Sequence, residues 1–151
     1  MITIIAVGKK HESWVHEGVE RYEKRLRAPW NVDWVILPHS AREGQEARQE
    51  ESERIIKHLK PDDIIVLLDE RGKNLTSPAL SQFLSDNLNQ SKRIVLVIGG
   101  AYGVTDDFRQ KATSVWSLSG LVFPHQLVRL IAVEQIYRAQ EIAFGRNYHH
   151  N

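Results

Sequence analysis

The sequence contains no cysteine among its 151 residues, which excludes disulfides and thiolate metal sites. It has no apolar run long enough to cross a membrane and no charged-then-apolar leader at Met1, so neither export nor membrane insertion is expected. An excess of either charge is also missing: 20 lysines and arginines stand against 19 aspartates and glutamates, a formal net charge of +1. Such a balance exerts no long-range pull on a polyanion, so an RNA partner would require a local patch or a second subunit. Internal repeats, low-complexity stretches and linkers are absent as well. What is present, 42% hydrophobic residues, can bury one core, and the chain is too short for two ordinary domains. A single cytoplasmic domain spanning 1–151 is the expectation.

Strand and helix patterns alternate along the chain. Ile2–Val7 is apolar, rich in β-branched residues and closed by Gly8, which predicts a buried strand. Val15, Val19, Tyr22 and Leu26 then recur at helical spacing behind Ser13, the expected N-cap, until Pro29 stops the pattern. Val32, Trp34 and Ile36 alternate and predict a strand over 31–37. The segment 41–60, dense in Arg, Glu and Gln, reads as a loop leading into an exposed helix whose buried face lies around Ile55, Ile56 and Leu59. A third strand over 64–68 precedes what reads as a polar turn over 69–74. Ser77 and Pro78 open a helix carrying Leu80, Phe83, Leu84 and Leu88. Ile94–Ile98 is apolar throughout, as a central strand covered on both faces would be. A short strand over 115–118 and a long helix over about 125–144 complete an α/β domain with a largely parallel sheet. Ligands bind such sheets beyond the carboxyl ends of their strands, which directs attention to the loops after Leu68, Ile98 and Leu118.

The loop after Ile98 places Gly99, Gly100 and Gly103 ahead of a helix starting near Thr105, with Asp106 and Asp107 in its first turn. Glycines permit close backbone approach by a ligand, while the two acids would repel phosphate; a plain strand-to-helix turn fits the same spacing. The loop Ser119, Gly120, Leu121, Val122, Phe123 and Pro124 offers backbone donors and acceptors with apolar walls, suited to an adenine or simply to connecting two elements. The helix that follows bears a wide apolar stripe that suits either a dimer contact or a core position. Glu134 and Arg138 stand i,i+4, the spacing of an ordinary solvated helical ion pair. The ending Arg146, Asn147, Tyr148, His149, His150 could fray or could stack on bases and pair with phosphate. Arg21, Lys24, Arg25 and Arg27 form the densest basic cluster, near the end of the first helix. No metal is expected, because the histidines lack ligand spacing.

In order along the chain stand Ala6-Val7-Gly8-Lys9, Leu68-Asp69 with Gly72-Lys73, Ile98-Gly99-Gly100 with Gly103 and Trp116-Ser117-Leu118-Ser119. Phe123-Pro124-His125, Arg129, Glu134-Gln135-Ile136-Tyr137-Arg138-Ala139 and Tyr148-His149 follow them. This set resembles the ribosomal RNA large subunit methyltransferase H family, pseudouridine N3-methyltransferases of the SPOUT superfamily, over essentially the whole chain. The resemblance implies an α/β knot whose C-terminal part, about 94–151, threads a loop as a deep trefoil, and a homodimer. It implies that S-adenosylmethionine contacts Leu68, Gly99, Leu118, Ser119, Gly120, Leu121, Val122 and Phe123. The implied substrate is a pseudouridine of helix 69 in 23S ribosomal RNA within the assembled ribosome. Glu134, Arg138, Tyr148 and His149 are then the residues implied to position that base and handle its proton. Members of that family commonly end in Tyr-His-Arg, whereas His150 stands at the last of these positions here. A titratable ring thereby replaces a permanent forked donor, with Arg146 near enough in sequence to substitute.

Overall fold

The computed structural model describes residues 1–150; Asn151 lies outside the described residues. Ten elements follow one another: β1 (Ile2–Val7), α1 (Ser13–Glu23), β2 (Val32–Leu37), α2 (Gly44–Ile56), β3 (Ile64–Asn74), α3 (Ser77–Asn89), β4 (Ile94–Ile98), α4 (Asp106–Lys111), β5 (Ser114–Ser117) and α5 (His125–Ala143). The strands form one five-stranded sheet in the order β2-β1-β4-β3-β5, and every pairing is parallel.

The two-residue period of a strand divides the side chains between two cores. Ile2, Ile4, Ala6, Ile94, Leu96 and Ile98 face α1, α3 and α5 through Val15, Val19, Leu84, Leu88, Val133 and Ile136. Ile5, Val7, Val95 and Val97 face the other side, where Ile55 of α2 and Phe108 of α4 cover them. Both sides of β1 and β4 are therefore buried, which accounts for their uninterrupted apolar sequences. Helix α5 packs against α1 and α3. At the first of these contacts Gly18 leaves room for the end of the Leu130 side chain, which would lie 2.8 Å from a Cβ there. Among the described residues no helix is long and apolar enough to cross a membrane.

Three local features differ from the sequence expectation. The polar run 69–74 is strand rather than turn: β3 outruns β4 and continues against β5, pairing Lys73 with Trp116 and Asn74 with Ser117 after a register irregularity. Past the end of β4 this extension has only one neighbour, so its solvent-facing side chains are polar and mimic a loop. The N-caps are Glu12 for α1 and Thr76 for α3, one residue earlier than read; the Thr76 hydroxyl accepts from the Ala79 amide at 3.1 Å. Helix α2 buries Ala47, Glu51, Ser52 and Ile55, whereas Ile56 is 38% exposed. Its inward face is thus half polar, and that polarity has a use at the neighbouring loop.

Candidate functional site

Because all five strands run the same way, the far half of β3 and the segments leaving β4 and β5 meet at one edge of the sheet. They enclose a cavity of about 650 Å³ lined by Leu68, Gly99, Gly100, Gly103, Trp116, Leu118, Ser119, Leu121, Val122, Phe123, His125 and Val128. Seven of the eight residues expected to hold a cofactor line it; Gly120 is the exception, exposed on the outer side of its loop. A volume of this size matches a nucleoside-sized ligand.

The glycine loop is shaped by specific contacts. Gly103 adopts a φ of +79° and donates its amide to Gly100 O at 3.0 Å, closing a tight turn. Thr105 then caps α4, its hydroxyl accepting from Phe108 N at 3.1 Å. Helix α2 supports the loop from behind: the Thr105 amide donates to Ser52 Oγ at 3.1 Å, and Arg48 Nε donates to Tyr102 O at 2.8 Å. The residues Arg48 and Ser52 stand i,i+4 and so share a face of α2. Sequence reading missed them because the segment looked uniformly solvated.

The loop after β5 is pinned at its start, where Asn74 Nδ2 donates to Ser117 O at 2.9 Å and Ser117 Oγ donates to Ser119 O at 2.9 Å. Beyond that point Leu121 and Val122 are 71% and 79% exposed, two apolar side chains held out at the cavity mouth. Of the charged groups around the cavity, Asp69 is bound to Arg109 at 2.7 Å and to Arg71 at 3.3 Å. Burial and the Arg129 charge push the His125 imidazole below its ordinary range, against an opposing pull from Glu51. The two cations on its lining, Arg48 and Arg71, are engaged by Tyr102 O and by Asp69, and the remaining wall of backbone groups and apolar side chains suits an adenosyl group.

Glu134, Arg138, Tyr148 and His149 form a second cluster on α5 and the tail. Glu134 Oε1 accepts from Arg138 Nη2 at 2.6 Å, from Arg138 Nε at 3.0 Å and from the Tyr148 hydroxyl at 3.2 Å. Arg138 Nη1 lies 3.2 Å from His149 Nδ1, and its guanidinium sits 4.8 Å over the Tyr148 ring. Tyr148 also packs edge-on against Tyr137, with ring centroids 4.8 Å apart. The ion pair is therefore half-buried and shared with the tail, not a solvated surface pair, and the tail is docked as far as His149. Burial first, then the Glu134 charge, raises the Tyr148 phenol well above the ordinary tyrosine range. That hydroxyl remains a donor at any physiological pH.

These four residues do not line the cavity. Arg138 stands thirteen positions after His125 on α5, which places the two groups roughly 20 Å apart along the helix within one chain. Between them Leu127 and Ile131 remain half-buried, apolar and outside both cores. Arg129, by contrast, is 1% exposed and points to the loop after β1, donating to Lys9 O at 2.7 Å beside His11 Nδ1 at 3.3 Å. Among the described residues no group of His, Asp or Glu is placed to hold a metal ion.

Comparison with known proteins completes this picture. Residues 1–149 match a family described as predicted SPOUT methyltransferases. A protein of Geobacter sp. (strain M21) named ribosomal RNA large subunit methyltransferase H is 43% identical over 99% of this chain and 98% of its own. Proteins of the same name from Geotalea daltonii and Desulfitobacterium hafniense are 40% and 38% identical, covering 99% and 98% of this chain and the same shares of their own. Among solved structures, a probable methylase family protein from Haemophilus influenzae superposes with a TM-score of 0.53 at 12% identity, covering 95% of this chain and 66% of that one; it supports the fold alone. A parallel α/β sheet with its cavity at the carboxyl edge, matched end to end by these relatives, places the chain in the ribosomal RNA large subunit methyltransferase H family of SPOUT methyltransferases.

Proposed function

We propose that this protein transfers a methyl group from S-adenosylmethionine to large-subunit ribosomal RNA, at N3 of a pseudouridine in helix 69 of the 23S molecule within the assembled ribosome. The observation that carries the reading is the convergence of the far half of β3 and the loops after β4 and β5 on one cavity, in a chain whose relatives bear the name of an rRNA methyltransferase. In this reading Leu68, Gly99 and the run Leu118, Ser119, Gly120, Leu121, Val122 and Phe123 hold the cofactor. Bound there, the cofactor would supply a methyl group already activated by its sulfonium. The protein's task is then to align the acceptor nitrogen and to help remove its imide proton. Arg138 and Tyr148 are donors fit to hold the base, while Glu134 and His149 carry atoms able to accept a proton. No step requires a metal.

The separation of the two residue groups along α5 favours a homodimer in which the tail cluster of one subunit faces the cavity of the other. The half-buried Leu127 and Ile131 supply an apolar face for that contact. The knotted arrangement of residues 94–151 and a cytoplasmic location belong to the same reading. With a net charge of only +1, recognition relies on the shape and multiple contacts of the ribosome rather than on bulk attraction to RNA. The test is incubation of the purified protein with methyl-labelled S-adenosylmethionine and ribosomes lacking the modification. Label in large-subunit rRNA is expected; cofactor binding with no label in rRNA would move the function to a noncatalytic RNA-binding module.

A further inference from the structure

Directly behind the glycine loop lies a carboxylate that the reading above does not use. Glu51, on the inward face of α2, is 3% exposed. Its Oε2 accepts from the Ser40 amide at 2.7 Å, while its Oε1 is buried without a hydrogen-bond partner. Among the described residues no basic side chain lies within ion-pair distance of it. The free oxygen is aimed at Gly100: a Cβ built there would collide with Oε1, so the missing side chain at this position is what lets the carboxylate approach the loop. A buried acid with one open oxygen is costly unless something of opposite charge compensates it. Its influence already reaches the cavity wall, because Glu51 pulls upward on the titration of His125. The other free acids of the rim, Glu70 and Asp106, are exposed and screened, and Asp69 is neutralised by Arg71 and Arg109.

We propose that Glu51 sets a fixed negative charge behind Gly100 that favours the cationic methyl donor over its neutral thioether product, so that methyl transfer itself weakens retention of the spent cofactor. The inference rests on the cofactor reading given above. Glu51 acts through the loop and the field it imposes, and is a positioning and specificity residue rather than a catalytic one. At an effective dielectric of about 20, unit charges on the order of 10 Å apart interact strongly enough that losing one changes affinity on the order of tenfold, which sets the scale of the effect.

The test is calorimetric titration of the full-length protein and of Glu51→Gln with S-adenosylmethionine and, separately, with S-adenosylhomocysteine. The substitution keeps an acceptor for the Ser40 amide and removes the charge, with a neutral amide NH2 at the open position. Donor affinity is expected to fall roughly tenfold while product affinity stays within about twofold. An equal change in both affinities, or none, overturns the proposal and leaves Glu51 a structural support. Should Glu51→Gln fail to fold, Glu51→Asp takes its place, a change that keeps the charge and draws it back from the loop. A fall in S-adenosylmethionine affinity larger than that in S-adenosylhomocysteine affinity supports the proposal, and an equal change in both overturns it. An unmodified protein that binds none of these compounds removes the cofactor reading itself.

Discussion

Glu134→Gln is the substitution that separates the tail cluster's chemistry from its architecture. The new side chain has the same shape, so Arg138 and Tyr148 can still donate to its carbonyl oxygen, but the charge is gone and the second oxygen, which accepts from Gln135 Nε2 at 2.8 Å, becomes an amide donor. Hydrogen bonds to charged groups contribute about 1.5–3 kcal/mol and neutral ones about 0.5–1.5. The Glu134 and Arg138 side chains are 17% and 26% exposed, so part of that difference is screened by solvent. A net loss of about 1 kcal/mol follows, which in a domain of this size lowers Tm by about 2–4 °C. Calorimetric scanning should show that small shift. Donor affinity should stay within about twofold, since Glu134 does not line the cavity. Methyl transfer to ribosomes should fall at least about tenfold, as loss of a proton-handling or positioning group does. Wild-type transfer by Glu134→Gln would refute a role for the cluster in the reaction, and a matching loss of donor affinity would refute the separation of the two groups.

Three further expectations concern other parts of the molecule. Gly72→Ala would press a methyl to 2.5 Å from Val115 O and 2.9 Å from Trp116 N, both backbone. Unfolding should show a loss of about 1–3 kcal/mol together with weakened cofactor binding, because β5 leads into the 118–123 loop; Gly120→Ala, in open space, should cost no stability. The His11 and His125 imidazoles are held below their ordinary range, first by partial desolvation and then by the Arg129 charge. The folded state therefore binds fewer protons than the unfolded chain, and their contribution to stability is present above pH about 6.5 and is lost as pH falls through the depressed values. Proton NMR should find both rings titrating below the free-histidine midpoint; a midpoint at or above it refutes the assignment. Co-expressing Glu134→Gln with Gly99→Phe, a cavity-filling change, should yield mixed dimers that methylate ribosomes although neither variant does so alone. Absence of recovery in mixed dimers contradicts a site shared between subunits.

How far the sequence revealed these features depended on which physical signal marked them. The strands β1 and β4 were plain because burial on both sides demands unbroken β-branched runs, and the loops after Ile98 and Leu118 followed from parallel topology alone. The extension of β3 over 69–74 was not visible, since a strand with one neighbour and solvent on its faces has the composition of a turn. The supporting face of α2 was hidden for the opposite reason: Glu51 and Ser52 are buried polar residues satisfied, or left open, by groups distant in sequence. Spacing made Glu134 and Arg138 an ordinary surface pair, and only the docking of Tyr148 and His149 beside them shows a shared cluster. Tertiary contacts of this kind leave no period in the chain, which is why the tail's order had to come from the structure.

The account stands most directly on the identity of the methylated atom. Ribosomes lacking the modification, treated with the purified protein and S-adenosylmethionine, should yield on nuclease digestion and mass spectrometry a single new methyl, located on N3 of the helix 69 pseudouridine. A methyl on any other nucleotide, or none from a protein that demonstrably binds the donor, would contradict it.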